Sequence, residues 1–175
     1  YKRQARHDAA AATGDSPAAG LSRPAAPALP RLDPDQPGVV VAGPWRGSPQ
    51  QWDGHCQALR RWQQRSGWPV LADSLSGLRG LEGLALVGAY DPLLELGDAI
   101  PPGSQVLRLG SLPASRRLQR WLERCGTAQV LISQGDPRRL DPLGCVAEGQ
   151  QWSGGLASWV EALLGPADAA AAIPP

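Results

Sequence analysis

From Gly38 onward, short runs of apolar residues alternate with longer segments whose apolar positions recur at helical spacing, and few architectures accept that alternation. The first run, Gly38-Val-Val-Val-Ala-Gly43, is apolar throughout and rich in β-branched residues, as in a strand covered on both faces of a parallel sheet. Further strands are expected at Trp68 to Asp73, Leu84 to Gly88, Val106 to Gly110, Ala128 to Ser133 and Cys145 to Glu148. Helices fall between them. Ser48 and Pro49 supply a cap and a first helical residue for a segment that carries Trp52, Cys56, Leu59 and Trp62 or Gln63 at helical phase and stops at Gly67. Asp91 and Pro92 open a short helix with Leu93, Leu94 and Leu96. Leu118, Trp121, Leu122 and Cys125 mark a third, and Leu156, Trp159, Val160 and Leu163 the last. The pattern predicts an α/β fold: a doubly wound, Rossmann-like parallel sheet of about six strands with helices on both faces.

The ends read differently. Residues 1–37 are rich in Ala and Pro without apolar periodicity, so a linker is expected there, with the folded domain over 38–165 and a second linker over 166–175. Methionine is absent even at position 1, so the chain is expected to start inside a longer reading frame. Seventeen basic and sixteen acidic residues leave a formal charge of +1, which argues against a nucleic-acid partner. No apolar run reaches membrane-spanning length. Cys56, Cys125 and Cys145 are odd in number and form no C-x-x-C pair, so neither a disulfide framework nor a zinc site is indicated and a cytoplasmic location is expected.

The charged start of the third helix is the clearest functional signal. Val106-Leu-Arg-Leu-Gly110 reads as a strand, and the turn after it lies at the carboxyl end, where open α/β sheets bind ligands. With Pro113 as the expected first helical residue, Arg116 and Arg117 fall in the first turn or just after it. A helix N-terminus carries partial positive charge, so two cations there call for an anion, held by backbone N–H groups and a guanidinium fork. Arg116 and Arg120 lie opposite the apolar stripe and Arg117 at its border, which makes Arg117 the better candidate to lean over the strand ends. The competing reading is a solvated basic face with Glu123 as its local partner.

Other chemistry finds little support. The first strand-to-helix turn is Gly43-Pro-Trp-Arg-Gly47, whose Pro and Trp stand where a dinucleotide fingerprint needs small residues. Asp73 at the end of the second strand fits a turn cap better than a ribose ligand. His55 stands alone in mid-helix, and no nucleophile with its base is visible. Gly135-Asp136-Pro137 reads as a turn. The chain has seven Trp and no Phe; Trp52, Trp62, Trp121 and Trp159 sit at core phases, whereas Trp45 beside Pro44 could serve packing or an interface.

Six motifs occur in order: Val39-Val-Val-Ala-Gly43; Gly67-Trp-Pro-Val-Leu-Ala-Asp73; Leu75-Ser-Gly-Leu-Arg79; Gly88-Ala-Tyr-Asp91 with Leu93 and Leu94; Leu107-Arg-Leu-Gly-Ser-Leu-Pro113 with Arg116, Arg117 and Trp121; and Arg139-Leu-Asp-Pro142. Together, from about Gly38 to Leu164, the chain resembles the central domain of the 2-succinyl-5-enolpyruvyl-6-hydroxy-3-cyclohexene-1-carboxylate synthases of menaquinone and phylloquinone biosynthesis, the MenD family. The resemblance implies a transferase dependent on thiamine diphosphate and Mg2+ or Mn2+. It would decarboxylate 2-oxoglutarate and add the resulting unit to isochorismate, and it would be a homo-oligomer. The cofactor would be bound by flanking domains of the same chain, so this segment alone would be inactive and hold no catalytic or metal-binding residue. Ser115, Arg116 and Arg117 would face substrate or bind its anionic groups, and Arg79, Arg117 and Arg139 are candidates for a regulatory acid-binding site. The alternative is a free-standing Rossmann-like module for a small anion or nucleotide.

Overall fold

The computed structural model describes residues 29–96, 100, 104–126, 128–136, 138 and 140–166. Five strands, β1 (Gly38–Ala42), β2 (Val70–Ala72), β3 (Gln105–Leu109), β4 (Gln129–Ile132) and β5 (Gln151–Trp152), form one sheet in the order β2-β1-β3-β4-β5, every pair parallel. The chain steps outward from β1 to β2 and then crosses back to β3 on the other side of β1. The topological switch point therefore lies between β1 and β3.

Helices cover both faces, as expected for a doubly wound sheet. α1 (Pro49–Ser66) and α4 (Gly155–Leu164) pack on the face formed by Val40, Ala42, Leu107, Leu109, Val130 and Ile132, with Leu59, Trp62, Leu156 and Trp159 between the layers. α2 (Tyr90–Glu95) and α3 (Arg116–Arg124) cover the other, where Val39, Val41, Leu71 and Val106 meet Tyr90, Leu94, Leu118, Trp121 and Leu122. Residues alternate between the two clusters along β1 because strand side chains point to opposite faces in turn. Trp62, Trp121 and Trp159 have no exposed surface, as their helical phases require.

Local rules set the ends of α1. Pro49 is its first residue, the Ser48 backbone N–H donates to Gln51 Oε1 at 2.9 Å, and Gly67 closes it in the left-handed conformation at φ 69°. α3 starts later than the sequence suggests. Pro113 lies outside it: Ser115 is the N-cap, its Oγ accepting from Leu118 N–H at 3.1 Å, and Arg116 is the first helical residue. A serine hydroxyl satisfies an otherwise free backbone donor, and proline has no such group. At the far end, Gln129 on β4 donates to the carbonyls of Leu122 and Gly126 at 2.7 and 2.8 Å, satisfying the end of α3 from across the layer.

Two expected strands are reduced. Along 84–88 a single bridge pairs Leu86 with Val70, because Leu86 N–H turns back to the Leu84 carbonyl at 2.9 Å and breaks the extended run. Gln63 holds this segment instead: its Oε1 accepts from Ala85 N–H at 2.9 Å while its Nε2 donates to the Trp68 carbonyl at 2.9 Å. Residues 145–148 are irregular rather than extended, with a bend at Val146, and the edge of the sheet passes to β5, where the carbonyls of Gln150, just before it, and Trp152 accept from Leu131 and Ser133 N–H on the β4 side.

The approach to β1 is fastened to the domain. Trp159 Nε1 donates to the Pro30 carbonyl at 2.8 Å and Trp68 Nε1 to the Gln36 carbonyl at 2.9 Å. Arg65 grips Asp35 with two hydrogen bonds of 2.6 and 2.9 Å, and Leu32 is buried.

Candidate functional site

At the carboxyl edge of the sheet the switch-point crevice is closed. Gly43 follows β1 so near the next loop that an added Cβ would lie 1.7 Å from the Ser111 carbonyl oxygen. Trp45, His55, Ser133 and Gln134 help line what is left, a cavity of about 20 Å³, room for roughly one water. No diphosphate fits there. Among the described residues no cluster of three or more His, Cys, Asp or Glu could hold a metal ion.

His55 belongs to this plug. Its ring lies 4.5 Å from that of Trp45 and 5.9 Å from that of Trp52, and its Nδ1 is 3.3 Å from Gln134 Nε2. Burial lowers its pKa to about 4, so the imidazole is neutral at physiological pH. Trp45 is thus a half-buried packing residue as well as part of the crevice wall. Beyond it Asp136 accepts three bonds from Arg138, which hold its carboxyl down at about 2; Gly135 is a bend, and Pro137, the last residue of the expected turn, lies outside the described residues.

The open site lies beside β2, between α2 and the start of α3. A groove of about 610 Å³ is lined by Arg79, Arg116, Arg117 and Arg120 against only Asp73 and Asp91, with Tyr90, Ser74 and Ser115 between them. Asp73 is buried and spent on structure. Its Oδ1 accepts from Leu75 N–H at 2.8 Å and its Oδ2 from Ala114 N–H at 3.0 Å, so it caps the 3-10 turn Ser74–Ser76 and ties down the loop that leads into α3. This is the turn-capping role, not a ribose contact. Arg79 donates from Nε to the Ala72 carbonyl at 3.1 Å, closing the end of β2, and its side chain also meets the buried Tyr90 hydroxyl.

Arg117 does not lean over the strand ends. It crosses to α2, where Nη1 donates to Asp91 Oδ2 at 2.8 Å and Nη2 lies 3.2 Å from Glu95 Oε1. α2 and α3 pack side by side on one face, which brings the second residue of α3 within reach of an acid in the first turn of α2. Its partners are on α2, and Glu123 is not among them. Ser115 Oγ also donates to Asp91, so these two contacts hold the Asp91 carboxyl below the usual carboxylate range. The side chains of Arg116 and Arg120, one turn apart, are exposed and make no hydrogen bond or ion pair among the described residues. The structure thus brings Arg79, Ser115, Arg116 and Arg117 together around one groove; Arg139 lies outside the described residues.

Sequence reasoning missed two residues. Asp91 was read only as a helix start, and Arg108, inside an apolar strand, turns out to be buried and paired with Asp141 at 2.6 Å. An arginine in a strand that otherwise reads as core was the available signal, since a charge is buried only with a partner.

A family model described as the middle domain of thiamine pyrophosphate matches residues 31–169. The chain belongs to this family. The middle domain is 55% identical over 131 residues to the 2-succinyl-5-enolpyruvyl-6-hydroxy-3-cyclohexene-1-carboxylate synthase of Synechococcus sp. (strain CC9311), an alignment covering 74% of this chain and 22% of the relative. It is 54% identical over 132 residues to the enzyme of the same name from Synechococcus sp. (strain CC9902), covering 75% and 22%. With that of Prochlorococcus marinus (strain NATL1A) the identity is 42% over 144 residues, covering 78% and 22%. The middle domain therefore spans about a fifth of the length of these curated relatives. None of its described helices is long and apolar enough to cross a membrane.

Proposed function

We propose that this middle domain is part of a 2-succinyl-5-enolpyruvyl-6-hydroxy-3-cyclohexene-1-carboxylate synthase, which decarboxylates 2-oxoglutarate and joins the succinyl semialdehyde unit to isochorismate. Thiamine diphosphate, with Mg2+ or Mn2+, supplies the carbanion chemistry when bound by the flanking domains of the same chain. The middle domain contributes a cationic wall. Ser115, Arg116 and Arg117 form its substrate-facing edge, and Arg79, Arg117 and Arg139 are the set for an acidic regulator.

One observation carries this reading: four guanidinium groups surround a groove in which one of two carboxylates is already consumed by backbone N–H groups. Both proposed substrates are dicarboxylic acids, which such a surplus of positive charge would attract and orient. The closed crevice at the switch point weighs against a free-standing nucleotide-binding module. The three widely separated cysteines Cys56, Cys125 and Cys145, which include no C-x-x-C pair, suit a reducing cytoplasm, and a homo-oligomeric enzyme is expected.

The test is an assay of the complete gene product with 2-oxoglutarate, isochorismate, thiamine diphosphate and Mg2+. Turnover is expected, and Arg116→Ala, folded as judged by circular dichroism, should lower kcat/KM at least about ten-fold, as loss of a charge-assisted contact does. An active enzyme indifferent to Arg116→Ala would overturn the assignment of the groove, and absence of turnover would overturn the assignment of the reaction.

A further inference from the structure

The groove contains a carboxylate of its own at the place where an entering acid would be expected to bind. Asp91 accepts the Ser115 hydroxyl proton on Oδ1 and an Arg117 N–H on Oδ2 at 2.8 Å. A serine hydroxyl has one proton, and its oxygen here already accepts from Leu118 N–H, so Ser115 keeps no donor for a ligand. Arg117 is held on its other arm by Glu95 at 3.2 Å. Arg116 and Arg120 have no such partners among the described residues, and Arg79 commits only its Nε to the backbone and meets Tyr90.

We propose that Asp91 is a specificity-determining residue: its carboxylate fills the Ser115–Arg117 half of the groove, so that an external acid is held by Arg116, Arg120 and Arg79 and reaches Arg117 only by displacing Asp91. The inference rests on the groove binding acids, as proposed above. It divides the helix start into two parts. Of the substrate-facing edge, Ser115 and Arg117 are engaged by α2 while Asp91 stays in place, and Arg116 is the cation presented to the ligand. A competing internal acid also raises the threshold for singly charged ligands, because a lone carboxylate gains little by exchanging with one already in place, whereas a dicarboxylate spans the free guanidinium groups without that exchange.

The experiment is a double-mutant cycle on the complete protein, with succinate as the probe and calorimetry as the readout. Asp91→Asn keeps the shape and can still accept from Ser115, yet removes the charge partner of Arg117 Nη1 and leaves Glu95 on Nη2 alone. Succinate is expected to bind about two- to five-fold more tightly, the range for releasing an exposed ion pair. Arg117→Ala should then weaken binding more in the Asp91→Asn background than in the wild type. If Asp91→Asn leaves the affinity unchanged or lowers it, or if the two substitutions are merely additive, Asp91 does not compete with the ligand and the inference fails. Arg116→Ala separates the two levels. When it weakens succinate binding while the cycle fails, only the role of Asp91 falls; if it too leaves succinate binding unchanged, or if no variant binds succinate, the acid-binding groove falls with it. Asp91→Ser, which removes the charge with a smaller side chain, should reproduce the tightening.

Discussion

Arg108 and Asp141 form an ion pair shut away from solvent, 2.6 Å long, with side chains 2% and 5% exposed. Arg108 lies on β3 on the α3 side of the sheet, and its Nη2 also reaches the Leu140 carbonyl at 3.4 Å. Asp141 accepts from Val146 N–H at 2.8 Å with its second oxygen, so the pair fixes the 140–146 loop beside the sheet. Removing one partner strands the other charge in the core. Asp141→Ala is expected to lower unfolding stability by about 3–5 kcal/mol, whereas the double change Arg108→Met with Asp141→Leu should recover most of that loss. Denaturant titrations of the wild type and the two variants check this, and equal destabilisation of the single and the double variant would refute it.

The neutral, buried His55 makes stability depend on pH. Its folded-state pKa of about 4 lies below the ordinary value of 6.5, so the unfolded chain takes up a proton first as the pH falls. The stabilising contribution is full above about pH 6.5 and is lost between there and about pH 4, by about 3 kcal/mol in total. His55→Gln should flatten that part of the stability curve, measured as unfolding free energy from pH 7 to pH 4; an unchanged slope would count against the burial argument.

Two glycines should respond with opposite sign to the same substitution. At Gly43 a methyl group would meet the Ser111 carbonyl at 1.7 Å, a backbone atom that cannot swing away, so Gly43→Ala should cost about 3 kcal/mol or more. Gly54 is inside α1 with nothing within 4 Å of the new atom, and Gly54→Ala should stabilise by about 0.5–1 kcal/mol through helix propensity. Thermal melts of both variants decide the matter.

Ser115 serves α3 through its cap. Ser115→Ala removes the acceptor of Leu118 N–H and should cost about 1 kcal/mol. Ser115→Asp retains an acceptor at the cap but sets a second carboxylate beside Asp91, so it should recover less than Ser115→Thr does. Chemical denaturation of the three variants gives the order.

The local rules of this chain, and the layers they build, were legible from residue order alone. The β-branched run Val39–Val41, the Ser48-Pro49 start and Gly67 stop of α1, and the core phases of Trp62, Trp121 and Trp159 follow from periodicity and capping, which act within a few residues. Those rules gave a doubly wound parallel sheet, and the arginine pair at the opening of α3 was visible as a charge on the wrong end of a helix dipole. Tertiary structure decided everything that depends on which distant residues meet. Leu84–Gly88 has a strand-like sequence, but Leu86 N–H turns back to the Leu84 carbonyl and Gln63, in another element, accepts from Ala85 N–H. Pro113 suited a first helical position, but Ser115 capped better. Arg117 was placed correctly on its helix, and yet its direction was settled by Asp91 and Glu95, twenty-odd residues earlier in the chain. Charges act through space across the gap between α2 and α3, a distance that no sequence spacing encodes.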